Sequence, residues 1–481
     1  MSPEQAMFRK DRLAQRAPAT EALADYVVGA QVGTPTLDRA RLAVLDTLAV
    51  TLGGSTEPVT MRLLATLEPT HQASSVPLLW SDHTFNRFDA ALVTGTASHV
   101  LDYDDVSMLS ICHPSAPVLS ALLSVRDWSG LSGRVLLEAF VIGTEVLIRL
   151  GQTMGFRHYQ LGFHATATLG AVGAAAACAR LMGLDQLRTR HALAIAASMS
   201  SGLQVNFGSM VKSLHVGLAA SSGVRAVQFA AGGVEGAPEV FSGNGFVRAF
   251  SGDQSTEWPD DVRLGEPFVI DDPGFEQKRY PCCYMLHRMI EASLQLRREH
   301  GIALEQVADV LVDMPSGGTK PLVHPRPQSG LNALFSGPYA VLASLADGRV
   351  DLKSFTDAEV RRSALQQRFS DVILRERALT EPAEAIGDAP VTVTVRLRDG
   401  KAFTRTITVS PGSAHDPLTP GQLRAKWIDC LRRACPSADD DDIGALFESG
   451  WRLSDMVDAG EWTRAIRAVV TQSPLTCEAR R

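Results

Sequence analysis

The sequence predicts a mainly α-helical protein: a large all-helical domain plus a smaller α+β domain inserted before C-terminal helices. Three observations lead there. Apolar residues recur at helical spacing almost throughout 21–261, β-branched alternation appears only after Trp258-Pro259, and helical patterning returns at 419. The boundaries that follow are 1–266 for the first helical part, 267–411 for the α+β unit and 412–481 for C-terminal helices that pack back on the first part. The unit between them is then an insertion.

Each element has a local reason. Leu45, Leu48, Ala49 and Leu52 fall at i, i+3, i+4 and i+7, and Gly53-Gly54 stops that helix. The segments 118–125, 135–150 and 191–198 repeat the pattern. Alanine and glycine are dense in GFHATATLGAVGAAAACARLMGLD (162–185) and HVGLAASSGVRAVQFAAGG (215–233). Small residues at helical spacing let helix axes approach closely, so these read as central helices of a bundle. Beyond Trp258, VADVLVDM (307–314) is rich in β-branched residues and reads as a strand. The segments 391–397 and 403–409 alternate around Asp399-Gly400, the strongest hairpin signal in the chain. Between the strands, 331–345 and 357–369 read as helices, giving a mainly antiparallel sheet with helical cover. Helices return at 419–430 and from 442 to the end, with Asp439 to Asp442 placed at a solvated helix N-terminus.

Composition excludes several classes. The chain has 481 residues, 45% hydrophobic and 21% charged, ordinary for a soluble protein. A net charge of −7 and a pI near 6.0 leave no general attraction to nucleic acid or an anionic membrane. The first sixteen residues mix acids and bases without an apolar core, so no secretory signal is expected. The uncharged run 159–179 is made of Gly, Ala, Thr and His and reads as a buried helix, not a membrane span. Seven cysteines without CxxC spacing point to a reduced, cytoplasmic protein lacking structural zinc. No Gly-rich phosphate loop or nucleophile elbow occurs in a suitable context, so no cofactor is expected.

The residues that could carry chemistry are polar groups isolated among apolar ones. ASHVLDYDDVSMLSICHPSAP (97–117) holds Asp102, Asp104 and Asp105, with His113 following. Three aspartates alone would most simply be a solvated turn. His164 opens the first Ala/Gly-rich helix. Lys212 and His215, three apart, share a helix face, and a lysine in so apolar a segment needs an anion nearby. Lys278 and Arg279 open KRYPCCYMLHRMIEA, where Pro281 suits a first helical turn and Cys283 and His287, four apart, share a face. A thiol there, beside cations, is a candidate for a lowered pKa, a buried structural cysteine being the commoner case. Tyr339 is a phenol in an apolar helix. If these groups converge, the pocket is cationic with a carboxylate and several proton carriers, which suits a small polycarboxylate losing a proton alpha to a carboxylate. Nearby lysines disfavour a metal ion.

The motifs LDTLAVTLGG (45–54), GTASHVLDYDDV (95–106), HPSAPVLSALL (113–123), GFHATATLGAVGAAAA, KSLHVGLAA and KRYPCCYMLHRMIEA together resemble the MmgE/PrpD family over nearly the whole chain. That family includes 2-methylcitrate dehydratase, cis-aconitate decarboxylase and iminodisuccinate epimerase. The resemblance implies a helical domain with an α+β lid, an active site in the cleft between them, cofactor independence and a homodimer. Its active-site places fall on Asp102, His113, His164, Lys212, Lys278 and Tyr339, with His215 and His287 inside motifs. Two positions depart from the decarboxylase pattern. Val106 stands where that enzyme has a threonine, and Cys283 stands where it and the methylcitrate dehydratases have a histidine.

Three functions follow. The first is a cofactor-independent, dehydratase-type lyase: His164 as base, Lys212, Lys278 and Arg279 stabilising the enolate-like carboxylate, and His113 as acid. The second is an epimerase or isomerase of a dicarboxylate, with Cys283 or Tyr339 facing His164 or Lys212 across one carbon. The third is a carboxylate-binding protein without catalysis.

Overall fold

The computed structural model describes residues 19–252, 258, 262–378, 387 and 389–472. The N-terminal segment read above for a signal, Pro259 and the last residues of the tail lie outside that set. Two hydrophobic cores organise the fold. The first is built from helices Thr34–Gly53, Arg87–His99, Ser115–Val125, Gly133–Gln160, Ala165–Met182 and Met210–Ala231. The C-terminal helices Pro420–Ala434, Asp440–Gly450 and Ala459–Thr471 give Trp427, Phe447 and Trp462 to the same core. Helix Ala165–Met182 has the length and apolarity to cross a membrane, yet it lies almost wholly buried inside this core. Asp439 accepts from the Asp441 N–H and caps its helix, as its acidic N-terminus leads one to expect.

One crossing sets the site. A Cβ added at Gly217 would stand 2.1 Å from the Leu92 carbonyl oxygen, and one at Gly95 would stand 2.7 Å from the Gly217 Cα. Only two glycines allow Arg87–His99 and Met210–Ala231 to cross this closely. The crossing brings Lys212, five residues before Gly217, against His99, four residues after Gly95.

The second core surrounds a four-stranded sheet of order β4-β3-β5-β6. Here β3 is Val307–Pro315, β4 Val372–Arg377, β5 Val391–Leu397 and β6 Ala402–Ile407, while β1 (Val76–Pro77) and β2 (Thr84–Phe85) form a small ribbon elsewhere. The β5–β6 hairpin turns through Gly400 at φ +88°, as the Asp-Gly pair predicts. The β3–β5 and β5–β6 pairs are antiparallel, whereas β3–β4 is parallel.

Four local expectations are corrected. β4 was absent from the sequence reading: VILRER is an edge strand with mostly exposed side chains, so it lacks a buried alternation. The helix expected over 331–345 breaks into Gly330–Ala333 and Gly337–Asp347, because Ser336 caps the second piece by accepting from the Tyr339 N–H (3.3 Å) and Pro338 sits in its first turn. The segment 357–369 forms only single turns, Asp357–Val360 and Ser363–Gln366, with Arg362 between them paired to Asp347 at 2.7 Å. The helix after Pro281 starts only at His287, following a 3₁₀ turn Tyr284–Leu286, so Cys283 is not in its first turn.

Candidate active site

A cavity of about 90 Å³ lies at the seam of the two cores. Asp102, His113, His164 and Lys212 line it from the first, and Lys278, Cys283, Met285 and Phe335 from the second. Asp102 follows the end of helix Arg87–His99 and takes a left-handed backbone (φ +48°), a conformation aspartate tolerates better than most side chains. Two ammonium groups hold it there. Lys212 Nζ donates to Asp102 Oδ1 at 2.7 Å; Lys278 Nζ donates to the Asp102 carbonyl at 2.7 Å and lies 3.2 Å from Oδ1. Burial by itself would raise the Asp102 carboxyl, but Lys212 and Lys278 hold it well below the usual carboxylate range. Burial would likewise lower Lys278, and Asp102 with Asp104 reverse that and hold it above an ordinary lysine.

His99 completes this arrangement, and the sequence reading missed it. Its Nε2 accepts from Lys212 Nζ at 2.8 Å, which leaves Nδ1 to donate to Asp104 Oδ2 at 2.7 Å. The chain Asp104–His99–Lys212–Asp102 thus fixes the His99 tautomer. Burial pushes His99 down to about 3, although Asp104 opposes it. His113 Nδ1 is 3.3 Å from the same Asp104 oxygen, off the hydrogen-bond line, and its backbone N–H is held by Thr166 Oγ1 at 3.1 Å. His164 stands just before helix Ala165–Met182, with Nδ1 3.2 Å from His215 Nδ1, so one ring donates and the other accepts. Burial lowers His113, His164 and His215 alike, against the pull of Asp104 at His113 and with Lys212 adding at the other two. Burial thus favours the neutral imidazole at His164 and His215, near the Lys278 ammonium that Asp102 sustains. Phe207 and Phe335 cover the Lys212 ammonium at 5.6 and 5.2 Å from their ring centres.

The expected residues divide. Asp102, His113, His164, Lys212, Lys278 and Cys283 line the cavity, and His215 backs His164. Three do not reach it. Tyr339 donates its hydroxyl to the Ser354 carbonyl and packs on Phe355, a core tyrosine. His287 is fully buried between Tyr280 and Tyr284, one turn behind Cys283. The Arg279 side chain lines a separate groove, although Lys278 beside it lines the cavity. The thiol expectation is also reversed: burial, with Asp102 adding and Lys278 opposing, pushes Cys283 up to about 11. It is a thiol at neutral pH. All six described cysteines are free.

Asp105 braces the site. Its Oδ1 accepts from the Ser115 N–H at 3.2 Å and its Oδ2 from the Ser115 hydroxyl, anchoring helix Ser115–Val125. Burial without a cation raises it from 3.8 to about 8, despite those hydrogen bonds. The folded state then holds a proton that the unfolded chain releases, so this carboxyl removes stability as pH rises from about 4 to about 8. Asp105→Asn keeps an acceptor for the N–H and carries no charge. Urea midpoints should show the variant gaining on the parent through that window, with a constant difference above it; parallel curves would refute a buried neutral acid.

His99, Asp102, Asp104 and His113 place potential ligand atoms within 4.8 Å of one another. Lys212 already donates to Asp102 and His99, and Lys278 to Asp102, so the lone pairs a metal ion would need face ammonium groups. The donor set fits two lysines better than a divalent cation. Phe207 and Phe335 carried no signal in sequence. His99 did, as a lone imidazole after nine uncharged helical residues, 90–98, and three residues before Asp102.

A helical scaffold with a sheet-bearing second unit and a lysine–histidine–aspartate cavity between them matches one family along most of its length. The MmgE/PrpD N-terminal domain matches residues 21–259 and the C-terminal domain residues 280–449. The chain belongs to the MmgE/PrpD family. Among its relatives, the cis-aconitate decarboxylase of Homo sapiens is 27% identical over 93% of this chain and 94% of its own. The Mus musculus enzyme of that name is also 27% identical, over 94% of each chain, and the Aspergillus terreus one is 24% identical over 87% and 90%. The chain is an enzyme of the lyase type.

Proposed function

We propose that this protein is a cofactor-independent, dehydratase-type lyase acting on a small di- or tricarboxylate by removal of a proton alpha to a carboxylate. The observation that carries the reading is the pairing of two ammonium groups on one aspartate, Asp102, beside imidazoles that burial keeps neutral. A neutral imidazole accepts a proton at neutral pH, and Lys212 and Lys278 are placed to hold the negative charge that grows on a carboxylate as its alpha carbon is deprotonated. His164, against His215, is the base in this scheme. His113 is the acid for the departing hydroxyl, in the imidazolium form that the Asp104 carboxylate at 3.3 Å favours against burial. Arg279, turned away from the cavity, drops out of it.

The relatives are named cis-aconitate decarboxylases, and cis-aconitate is the first compound to offer. Val106 and Cys283, both on the cavity wall, depart from the decarboxylase pattern and favour another reaction on the same scaffold. Cys283 also supports the second reading, an epimerase: a protonated thiol opposite an imidazole can return a proton to the other face of one carbon.

Incubation of a panel of di- and tricarboxylates with the protein in D₂O, followed by NMR, separates the readings. A lyase gives an eliminated product or, from cis-aconitate, a hydrated or decarboxylated one; an epimerase gives exchange with inversion, and none of these on any compound defeats both. Cys283→Ser is expected to keep turnover within about threefold under the lyase reading, since a hydroxyl can still fill the thiol's place. A loss of about a hundredfold, with unchanged substrate binding, would shift the assignment to the epimerase.

A further inference from the structure

The geometry points to a second anion site, on the outer side of the sheet-bearing unit, built for a compact oligophosphate. A groove of about 600 Å³ is lined by Arg279, Arg297, Arg298 and Arg349. Its acids are Glu291 and Asp416. Glu291 is already occupied, accepting from the Tyr280 hydroxyl at 2.6 Å and from Gln295 Nε2 at 2.7 Å.

The four guanidinium groups are poorly neutralised. Arg279 and Arg298 make no side-chain hydrogen bond or carboxylate ion pair among the described residues. Arg297 donates to the carbonyls of Leu345 and Ala346, in the last turn of helix Gly337–Asp347, and pairs with no carboxylate among the described residues. Arg349 has only a loose pair with Asp351 at 3.6 Å, both partners solvated. Four guanidiniums against Glu291, Asp416 and the Asp351 paired to Arg349 leave the groove net positive on a chain whose net charge is −7. Like charges gathered in one concavity repel unless an anion joins them, and the guanidinium fork matches phosphate oxygens two at a time. Leu294, Val350 and Tyr280 also line the groove.

The site is separate from the catalytic cavity though it starts one residue away. Lys278 turns inward to Asp102, and Arg279 turns outward into the groove. Tyr103 donates its hydroxyl to the Arg279 carbonyl at 3.1 Å, which ties the backbone between the two sites to the first core.

Calorimetric titration with inorganic pyrophosphate, in about 150 mM salt to suppress weak surface binding, tests this on the full chain. One saturable site is expected. Arg298→Glu/Arg349→Glu replaces two solvated residues away from both cores and should weaken the dissociation constant by about tenfold or more. Lys212→Met, which alters only the catalytic cavity, should leave it unchanged. Absence of saturable binding to the parent protein overturns the proposal, as does equal affinity in the double variant. Loss of binding in Lys212→Met would also overturn it by locating the anion in the cavity, and would leave the functional reading standing.

Discussion

Lys212→Ala should lower turnover of whichever carboxylate proves to be the substrate by about 10²–10³-fold, with the fold intact. That is the scale on which removing one preorganised charge stabiliser from a water-poor site acts. Lys212 Nζ is shared between Asp102 at 2.7 Å and His99 at 2.8 Å, so its loss removes one of the two ammoniums facing a bound carboxylate. Asp102 keeps Lys278 at 3.2 Å, which is why the protein should still fold. His164→Ala should fall as far in turnover for a different reason, the loss of the base, and its substrate affinity should change little. Circular dichroism and the melting temperature check the fold, and steady-state kinetics the split between kcat and KM. Near-normal turnover in both variants would remove this cavity as the seat of the chemistry.

Asp102→Asn should cost about 3–5 kcal/mol of stability, the range seen when one member of a buried ion pair is deleted. Asparagine keeps the shape and tolerates the left-handed backbone at φ +48°, so the substitution isolates the charge. Lys212 and Lys278 would then be buried without their carboxylate. In the parent, Lys278 titrates above its ordinary value of 10.5, so its contribution is complete at neutral pH and is lost only at strongly alkaline pH. In the variant the same amine is pushed downward, and raising the pH relieves it. The stability gap should therefore be widest near neutrality and narrow above about pH 9. Urea unfolding at several pH values measures this; a gap under about 1 kcal/mol, constant with pH, would mean that Asp102 is not the anion of the site.

The helical part was legible because its signals are local. Helical spacing at Leu45 to Leu52 and the alanine- and glycine-rich runs each mark a helix without reference to anything distant, and the Asp399-Gly400 turn marks its hairpin in the same way. β4 was not legible, since an exposed edge strand carries no buried alternation. Nor was the break at Ser336, where a cap and a proline override an apolar run that reads as one helix. At the site, the isolated polar residues Asp102, His113, His164 and Lys212 share one cavity, as the cost of burying such groups without partners leads one to expect. The same criterion failed for Tyr339 and His287, which are equally isolated in sequence. Tyr339 meets its cost with a single backbone carbonyl, and His287 sits between two tyrosine rings.

The amino-acid sequence by itself determined the class of fold, the family motifs and the set of polar groups that need explaining, since all of these rest on residue type and spacing. Tertiary structure alone decided which groups meet. His99 joins Lys212 only because Gly95 and Gly217 let two helices cross at contact distance. Arg279 lines a separate groove while its neighbour Lys278 enters the cavity. Cys283 stays a thiol because its burial outweighs the cation beside it. Asp102, Asp104 and Asp105, which spacing made look like one solvated cluster, are three different groups once packed. The first holds two lysines, the second orients His99, and the third is a raised carboxyl anchoring Ser115, because each meets a different partner in the fold.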